Sequence, residues 1–366
     1  MDERNINQYI PDSVSPPGDT LLETIEAMDM SQAQLAERTG RPQKTISEII
    51  NAKTRITSET ALQLERVLGV PAHFWMNRER LYQEALARQE ERERLKKDLA
   101  WLKKIPVRAM VKKGWIRSCE DKVNQLREVL NFFGVAAPEQ WDKIWNSQAA
   151  AYRQSQAFRS NPTAVAAWMR RGELEAQAIE CKPYEASKFE EALKQIRALT
   201  SERAESFQPE VVELCAKAGV AVVFVPELPK TRLYGATRWL SSNKALMQLS
   251  LRRKYNDEFW FTFFHESFHL LSHGKRGVFI EAEGPEDPTE KEADDFAANC
   301  LIPKKIWEYF VSRGNYGRNA VCKFAAQINV APGIVVGRLQ HEKLIPFNQL
   351  NKLKVRFEWA EGNGAD

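Results

Sequence analysis

Apolar positions recur at helical spacing from the start of the chain. Leu21, Leu22, Ile25 and Met28 mark one face of a helix over 20–28 that Asp19 can cap. Ser31 and Gln34 have the capping-box spacing ahead of Leu35-Ala36. Gly40 stops that helix, and Arg41-Pro42 opens the next. Thr57 caps a helix over 58–68, which Gly69 ends. Residues 84–104 interleave acids and bases around a few apolar positions, the pattern of a solvated connecting helix. Residues 107–206 read as further helices, rich in Trp and carrying the periodic set Val123, Leu126, Val129, Leu130 and Phe133.

The period changes after Pro209. Residues 220–225 are a β-branched run closed by Pro226, which predicts a buried strand. Two more strands are expected over 233–240 and 245–250, parted by the turn residues Ser241-Ser242-Asn243. Asn256 or Asp257 then starts a long apolar helix over 258–273. Another helix spans 290–301 before Pro303, and shorter helices follow to about 341. The expected architecture is multidomain. An arm (1–17) precedes an all-α helix-turn-helix N-terminal domain (18–82), followed by a helical middle region (83–204) for linking, packing or dimerisation. An α+β C-terminal domain (205–350) and a tail (351–366) complete it.

Composition changes this picture little. The chain has 366 residues, 43% of them hydrophobic and 28% charged, the profile of an ordinary globular protein. No apolar run reaches membrane-spanning length, and the first residues lack the basic start and apolar core of a secretory signal. The five cysteines are scattered without a CxxC pair, which points to a reducing cytoplasm rather than a disulfide scaffold. A net charge of +4 does not demand nucleic acid, so any DNA-binding case rests on local arrangement.

The densest chemistry lies at His265-Glu266-Ser267-Phe268-His269. Histidines four apart share a helix face and can converge on one ion, and the Glu beside them can reach a water on it. Neutral imidazoles suit Zn²⁺, and a carboxylate beside the ion can act as general base in amide hydrolysis. The surrounding helix is strongly apolar, so burying these groups with no metal or partner would be costly. A third ligand is needed. Glu290 is favoured, and Asp294, four residues on, can hold the far nitrogen of a ligand histidine. Glu292 competes but projects to another side of its helix. His273 reads more simply as a histidine at a helix C-terminus. Tyr234, Arg238 and Tyr316 are candidate oxyanion stabilisers.

The run from Trp260 through Glu266, the segment 290–298 leading to Leu301-Ile302-Pro303, and Val335-Val336-Gly337-Arg338-Leu339-Gln340 together resemble the ImmA/IrrE family of zinc metallopeptidases. The resemblance spans roughly residues 205–345 and implies a zincin-like metallopeptidase domain. Characterised relatives regulate genes by cleaving a partner repressor, which implies limited proteolysis of a regulatory protein. One departure is Asp294, where many relatives carry Asn; an Asp suits the orienting role equally well.

Residues 31–53 have the arrangement of a helix-turn-helix. The second helix would expose Gln43, Lys44, Thr45 and Ser47 to a major groove, with Asn51 and Lys53 following. Arg38, Arg41, Lys44, Lys53 and Arg55 give this edge local positive charge. The segment 31–75 is similar to Xre/Cro-type regulators, particularly HigA-like antitoxins, which implies operator DNA as a partner and a homodimer. Two functions stand against each other. One is a DNA-bound regulator whose zinc peptidase cleaves a repressor, a toxin or an antitoxin. The other is an antitoxin or repressor whose peptidase-like domain only senses a ligand or partner. The intact Glu266 favours the first, because a sensor has no need of a general base.

Overall fold

The computed structural model describes residues 15–152, 161–229, 231, 233–272, 278–282 and 288–359. The expected N-terminal arm up to residue 14, His273, the loop before Pro288 and the end of the tail lie outside them. The chain divides into two compact units between Lys97 and Asp98.

The first unit is helical: α1 (Pro17–Ala27), α2 (Gln32–Thr39), α3 (Gln43–Ile50), α4 (Ser58–Leu68) and α5 (Ala72–Lys97). Its starts and stops are chemical. Ser31 Oγ accepts the Gln34 N–H at 3.2 Å, and Gln34 Oε1 accepts the Ser31 N–H at 2.8 Å, so the capping box is closed. Gly40 ends α2 in the left-handed region at φ 69°, where a side chain would be strained. Leu21, Ile25, Leu35, Ile46, Ile49 and Trp75 form the core. Glu79 is buried on α5, and its carboxylate accepts the Ile56 N–H at 3.0 Å and the Gln83 amide at 2.9 Å. It thereby holds the loop between α3 and α4. The expected boundary at residue 82 falls inside α5, which runs uninterrupted to Lys97. Its later turns carry i,i+4 pairs such as Arg88 with Glu84 at 2.7 Å, which support a solvated helix.

In the second unit, α6 (Val107–Lys112), α7 (Lys122–Phe133), α8 (Pro138–Tyr152) and α9 (Pro162–Gln177) come first. Trp101, Phe133 and Trp141 pack edge-to-face there, with centroids 5.5 to 6.4 Å apart. Helices α10 (Ala186–Ala198) and α11 (Ala204–Lys217) lead into a four-stranded sheet of β1 (Val220–Phe224), β2 (Leu233–Ser241), β3 (Lys244–Leu249) and β4 (Val278–Ala282), in the order β1-β3-β2-β4. β1 runs parallel to β3, while β2 is antiparallel to β3 and β4. Helix α12 (Asn256–Ser272) lies on one face of the sheet. α13 (Pro288–Leu301), α14 (Lys304–Ser312), α15 (Arg318–Gln327) and α16 (Pro332–His341) complete the unit.

Strand alternation sorts the sheet into two packed faces. Val220, Val222, Ala245, Met247 and Leu249 join a core with Phe259, Trp260, Phe263 and Phe264 of α12. The opposite face is covered by α9. Trp168 Nε1 donates to the Val225 carbonyl at 3.0 Å, and its own carbonyl accepts Gln248 Nε2 at 2.8 Å. Ala164 to Met169 are fully buried there. The middle region is therefore no separate packing module. Its helix α9 is the second cover of the sheet, and the unit begins at Asp98 rather than near 205. The described part of the tail is bound as well. Asn256 N–H donates to the Val355 carbonyl at 2.8 Å, Phe357 N–H donates to Lys254 at 2.7 Å, and Lys354 pairs with Asp257 at 2.6 Å. These contacts pin the first turn of α12, the helix that carries the site.

Candidate functional sites

Helices α12 and α13 face each other and converge on one cluster. His265 Nε2 lies 2.9 Å from Glu290 Oε2 and 3.2 Å from His269 Nε2, and His269 Nε2 lies 3.7 Å from Glu290 Oε1. One donor atom from each of the three lies within 4.8 Å of the others. Both imidazoles are nearly inaccessible, on a helix whose Phe259, Trp260, Phe263 and Phe264 are packed into the core. Phe268 against Phe296, at 5.5 Å, ties the two helices together beside the cluster. Burial alone would raise the pKa of Glu290. The hydrogen bond from His265 and the nearby His269 imidazole outweigh it and bring the carboxyl to about 2.

On the other side of the ring, His265 Nδ1 lies 2.8 Å from Asp294 Oδ1. One turn of α13 thus presents Glu290 to Nε2 and Asp294 to Nδ1 of the same imidazole. Two nitrogens and a carboxylate oxygen, with the first histidine oriented from behind, are a donor set that fits Zn²⁺. Glu292 is exposed and is not among the described groups that converge. Glu266 is completely buried. Its carboxylate is directed at β2, where Gly235 stands so close that a Cβ would lie 2.6 Å from Oε1.

The three candidate oxyanion groups part company. Arg238 Nη2 is spent on Glu173 and on the Met169 carbonyl, both at 3.2 Å, on the α9 side of the sheet. The Tyr316 hydroxyl donates to the Val311 carbonyl at 3.2 Å. Tyr234 remains in the strand next to Gly235, its ring under the Arg253 guanidinium at 4.2 Å. Arg238 and Tyr316 are thus engaged in packing.

In the first unit, Gln43, Lys44, Asn51 and Lys53 are exposed on and after α3, and Thr45 and Ser47 are half-buried. Two of the expected contacts are modified. Asn51 Nδ2 donates back to the Ser47 carbonyl at 2.7 Å, closing the end of α3. Arg41 is held by Gln63 at 2.5 Å and by Glu59 at 3.1 Å, so it adds little to the basic edge. Sequence patterning missed Glu79. A carboxylate in the charged stretch after Trp75 reads as solvated until α5 is packed against the loop before α4.

These α2–α3 elements define a helix-turn-helix, and a helix-turn-helix family model matches residues 21–75. Residues 21–75 are therefore a helix-turn-helix domain. An Escherichia coli K12 protein named as an uncharacterized HTH-type transcriptional regulator, YbaQ, is 36% identical over 62 residues, 17% of this chain and 55% of its own length. The match therefore spans about half of that curated relative. Among solved structures, an addiction module antidote protein of the HigA family from Coxiella burnetii is 30% identical. The match covers 23% of this chain and 92% of that one, with a TM-score of 0.22. Among the described residues, no single helix is long and apolar enough to cross a membrane.

Proposed function

We propose that the chain is a DNA-binding transcriptional regulator whose second unit is a zinc-dependent endopeptidase. It would act on a regulatory protein such as a repressor, a toxin or an antitoxin. The observation that carries the peptidase reading is the convergence of His265, His269 and Glu290, with Asp294 behind His265 and a buried Glu266 next in sequence to that histidine. In this reading the sheet, α12 and α13 are a zincin-like domain. His265, His269 and Glu290 hold the ion. Asp294 accepts the Nδ1 proton of His265 and fixes the tautomer whose Nε2 lone pair faces the other two ligands. Bound there, zinc would supply a Lewis acid for the scissile carbonyl and a coordination position open to water. Glu266 takes the proton of the attacking water and delivers it to the leaving amine.

The helix-turn-helix domain brings operator DNA, bound as a homodimer, with Gln43, Lys44, Thr45 and Ser47 at base edges and Lys53 on phosphate. Tethering to DNA suits a selective regulatory protease better than a digestive one. The deciding experiment compares protein N-termini in cells that carry the wild-type chain or Glu266→Gln. New N-termini that depend on Glu266 are expected. Identical sets would remove proteolysis and leave a DNA-bound sensor. Metal content of the same purified proteins separates loss of the ion from loss of the base.

A further inference from the structure

We infer that Gly235, with the bulge in β2 beside it, is the positioning residue for the Glu266 carboxylate; the inference rests on the peptidase reading above. A Cβ at Gly235 would stand 2.6 Å from Oε1, 2.7 Å from Cγ and 3.0 Å from Cδ of Glu266. Real Cβ atoms essentially never approach a neighbour closer than 3.0 Å. The backbone at Gly235 is not left-handed, unlike that at Gly40 or Gly219. A side chain at this position would force Glu266 to shift, so glycine is favoured here by approach, not by dihedral angle, although it weakens the strand that contains it.

The strand is shaped at this point. On the β4 side, Leu233 pairs with Ala282 and Gly235 with Glu281, so two residues of β2 advance against one of β4. On the β3 side, Gly235 keeps its register with Leu249. The extra residue is fixed from several directions. The Tyr234 carbonyl accepts the Ser250 N–H at 2.9 Å, Ser250 Oγ donates to the Leu233 carbonyl at 2.6 Å, and Arg253 covers the Tyr234 ring. Bulges re-aim a strand locally and cluster beside active sites. Here the bulge sets the one residue without a side chain against the general base. Glu266 comes from α12 and Gly235 from β2, so the sheet itself defines how far the carboxylate sits from the ligand histidines beside it. A displacement of about 1 Å at such a group costs on the order of a hundredfold in rate.

The test is a double-variant cycle on the metal-free full-length chain, joined to a spectroscopic readout on the Co²⁺ form. Gly235→Ala should lower the unfolding midpoint by about 3–10 °C in the wild-type background. In the Glu266→Ala background, where the obstructing carboxylate is gone, it should lower it by less than half as much. Equal losses in both backgrounds would overturn the contact. If Gly235→Ala alone does not fold, the double variant should, and failure of both would count against the proposal in the same way. Co²⁺ should bind wild type and Gly235→Ala alike, but the visible spectrum of Gly235→Ala should move toward that of Glu266→Gln. A spectrum identical to wild type would overturn the positioning role, since a merely structural glycine leaves the ion's surroundings unchanged. Failure of the wild type itself to bind Co²⁺ would remove the peptidase reading and the positioning role with it. The cycle would still decide the contact.

Discussion

His265 and Asp294 are joined at 2.8 Å through the imidazole nitrogen that faces away from Glu290 and His269. In the proposed zinc site the Asp294 carboxylate holds the proton on Nδ1 and leaves Nε2 to the ion. Asp294→Ala is expected to weaken zinc binding by about 10–100-fold, with Asp294→Asn closer to wild type because its amide oxygen still accepts the proton. Competition with a calibrated chelator measures this. Equal affinity in all three proteins would remove Asp294 from the site.

His265→Ala and Glu290→Ala should each lose stoichiometric zinc, whereas Glu266→Gln should retain about one ion per chain. Elemental analysis of purified protein reads this directly. Retention of the full ion by both ligand variants would show that the cluster does not hold it.

Much of this cluster was legible in the sequence because it obeys helical periodicity. His265 with His269, and Glu290 with Asp294, are each four apart, and that spacing alone places each pair on one helix face. The choice of Glu290 over Glu292 follows the same rule, and the structure leaves Glu292 exposed. What no local period encodes is which elements meet. Gly235 and Glu266 lie on a strand and a helix whose approach depends on the whole packing of the sheet. Gln248 Nε2 donates to the Trp168 carbonyl from β3, a long-range contact that no local period encodes, so α9 reads in the sequence as part of an independent helical region. Arg238 looked available for an oxyanion, but strand alternation sends it to Glu173 on the opposite face. β4 is short and escaped notice between two longer helices.

The buried pair of Lys354 and Asp257 offers a test of the bound C-terminal segment. The two groups lie 2.6 Å apart with side chains 11% and 7% exposed, and Asp257 sits in the first turn of α12. Lys354→Ala leaves a buried carboxylate whose remaining support is the helix N-terminus, and should cost about 3 kcal/mol. Denaturant titration of the full chain measures it. A change within about 0.5 kcal/mol, the range of an ordinary surface substitution, would mean that the segment does not brace the site helix.

Glu79 should behave as a structural group of the helix-turn-helix. Glu79→Ala strands the buried Ile56 N–H and is expected to destabilise the first unit by about 1–3 kcal/mol. Glu79→Gln keeps an acceptor and should lose less. Hydrogen exchange at the Ile56 amide distinguishes the two, because protection should fall in the alanine variant and persist in the glutamine one. Unchanged protection in both would place the support of that loop elsewhere.

The basic residues around α3 should separate by how far each is already paired. Lys53 is exposed just beyond the helix, whereas Arg41 is committed to Glu59 and Gln63. With a duplex selected from a random library, Lys53→Ala should weaken binding across sequences and reduce the slope of log affinity against log salt by about 1. Arg41→Ala should leave that slope unchanged. Gln43→Ala, at the exposed start of α3, should instead relax preference at particular base positions with little change in slope. Lys44 is expected to fall between, since its ammonium lies 3.7 Å from Glu48 and must leave that partner to reach DNA. Fluorescence anisotropy over a salt series reads all four. A slope that falls for Arg41→Ala and not for Lys53→Ala would place the phosphate backbone on the α4 side of the domain rather than along the end of α3.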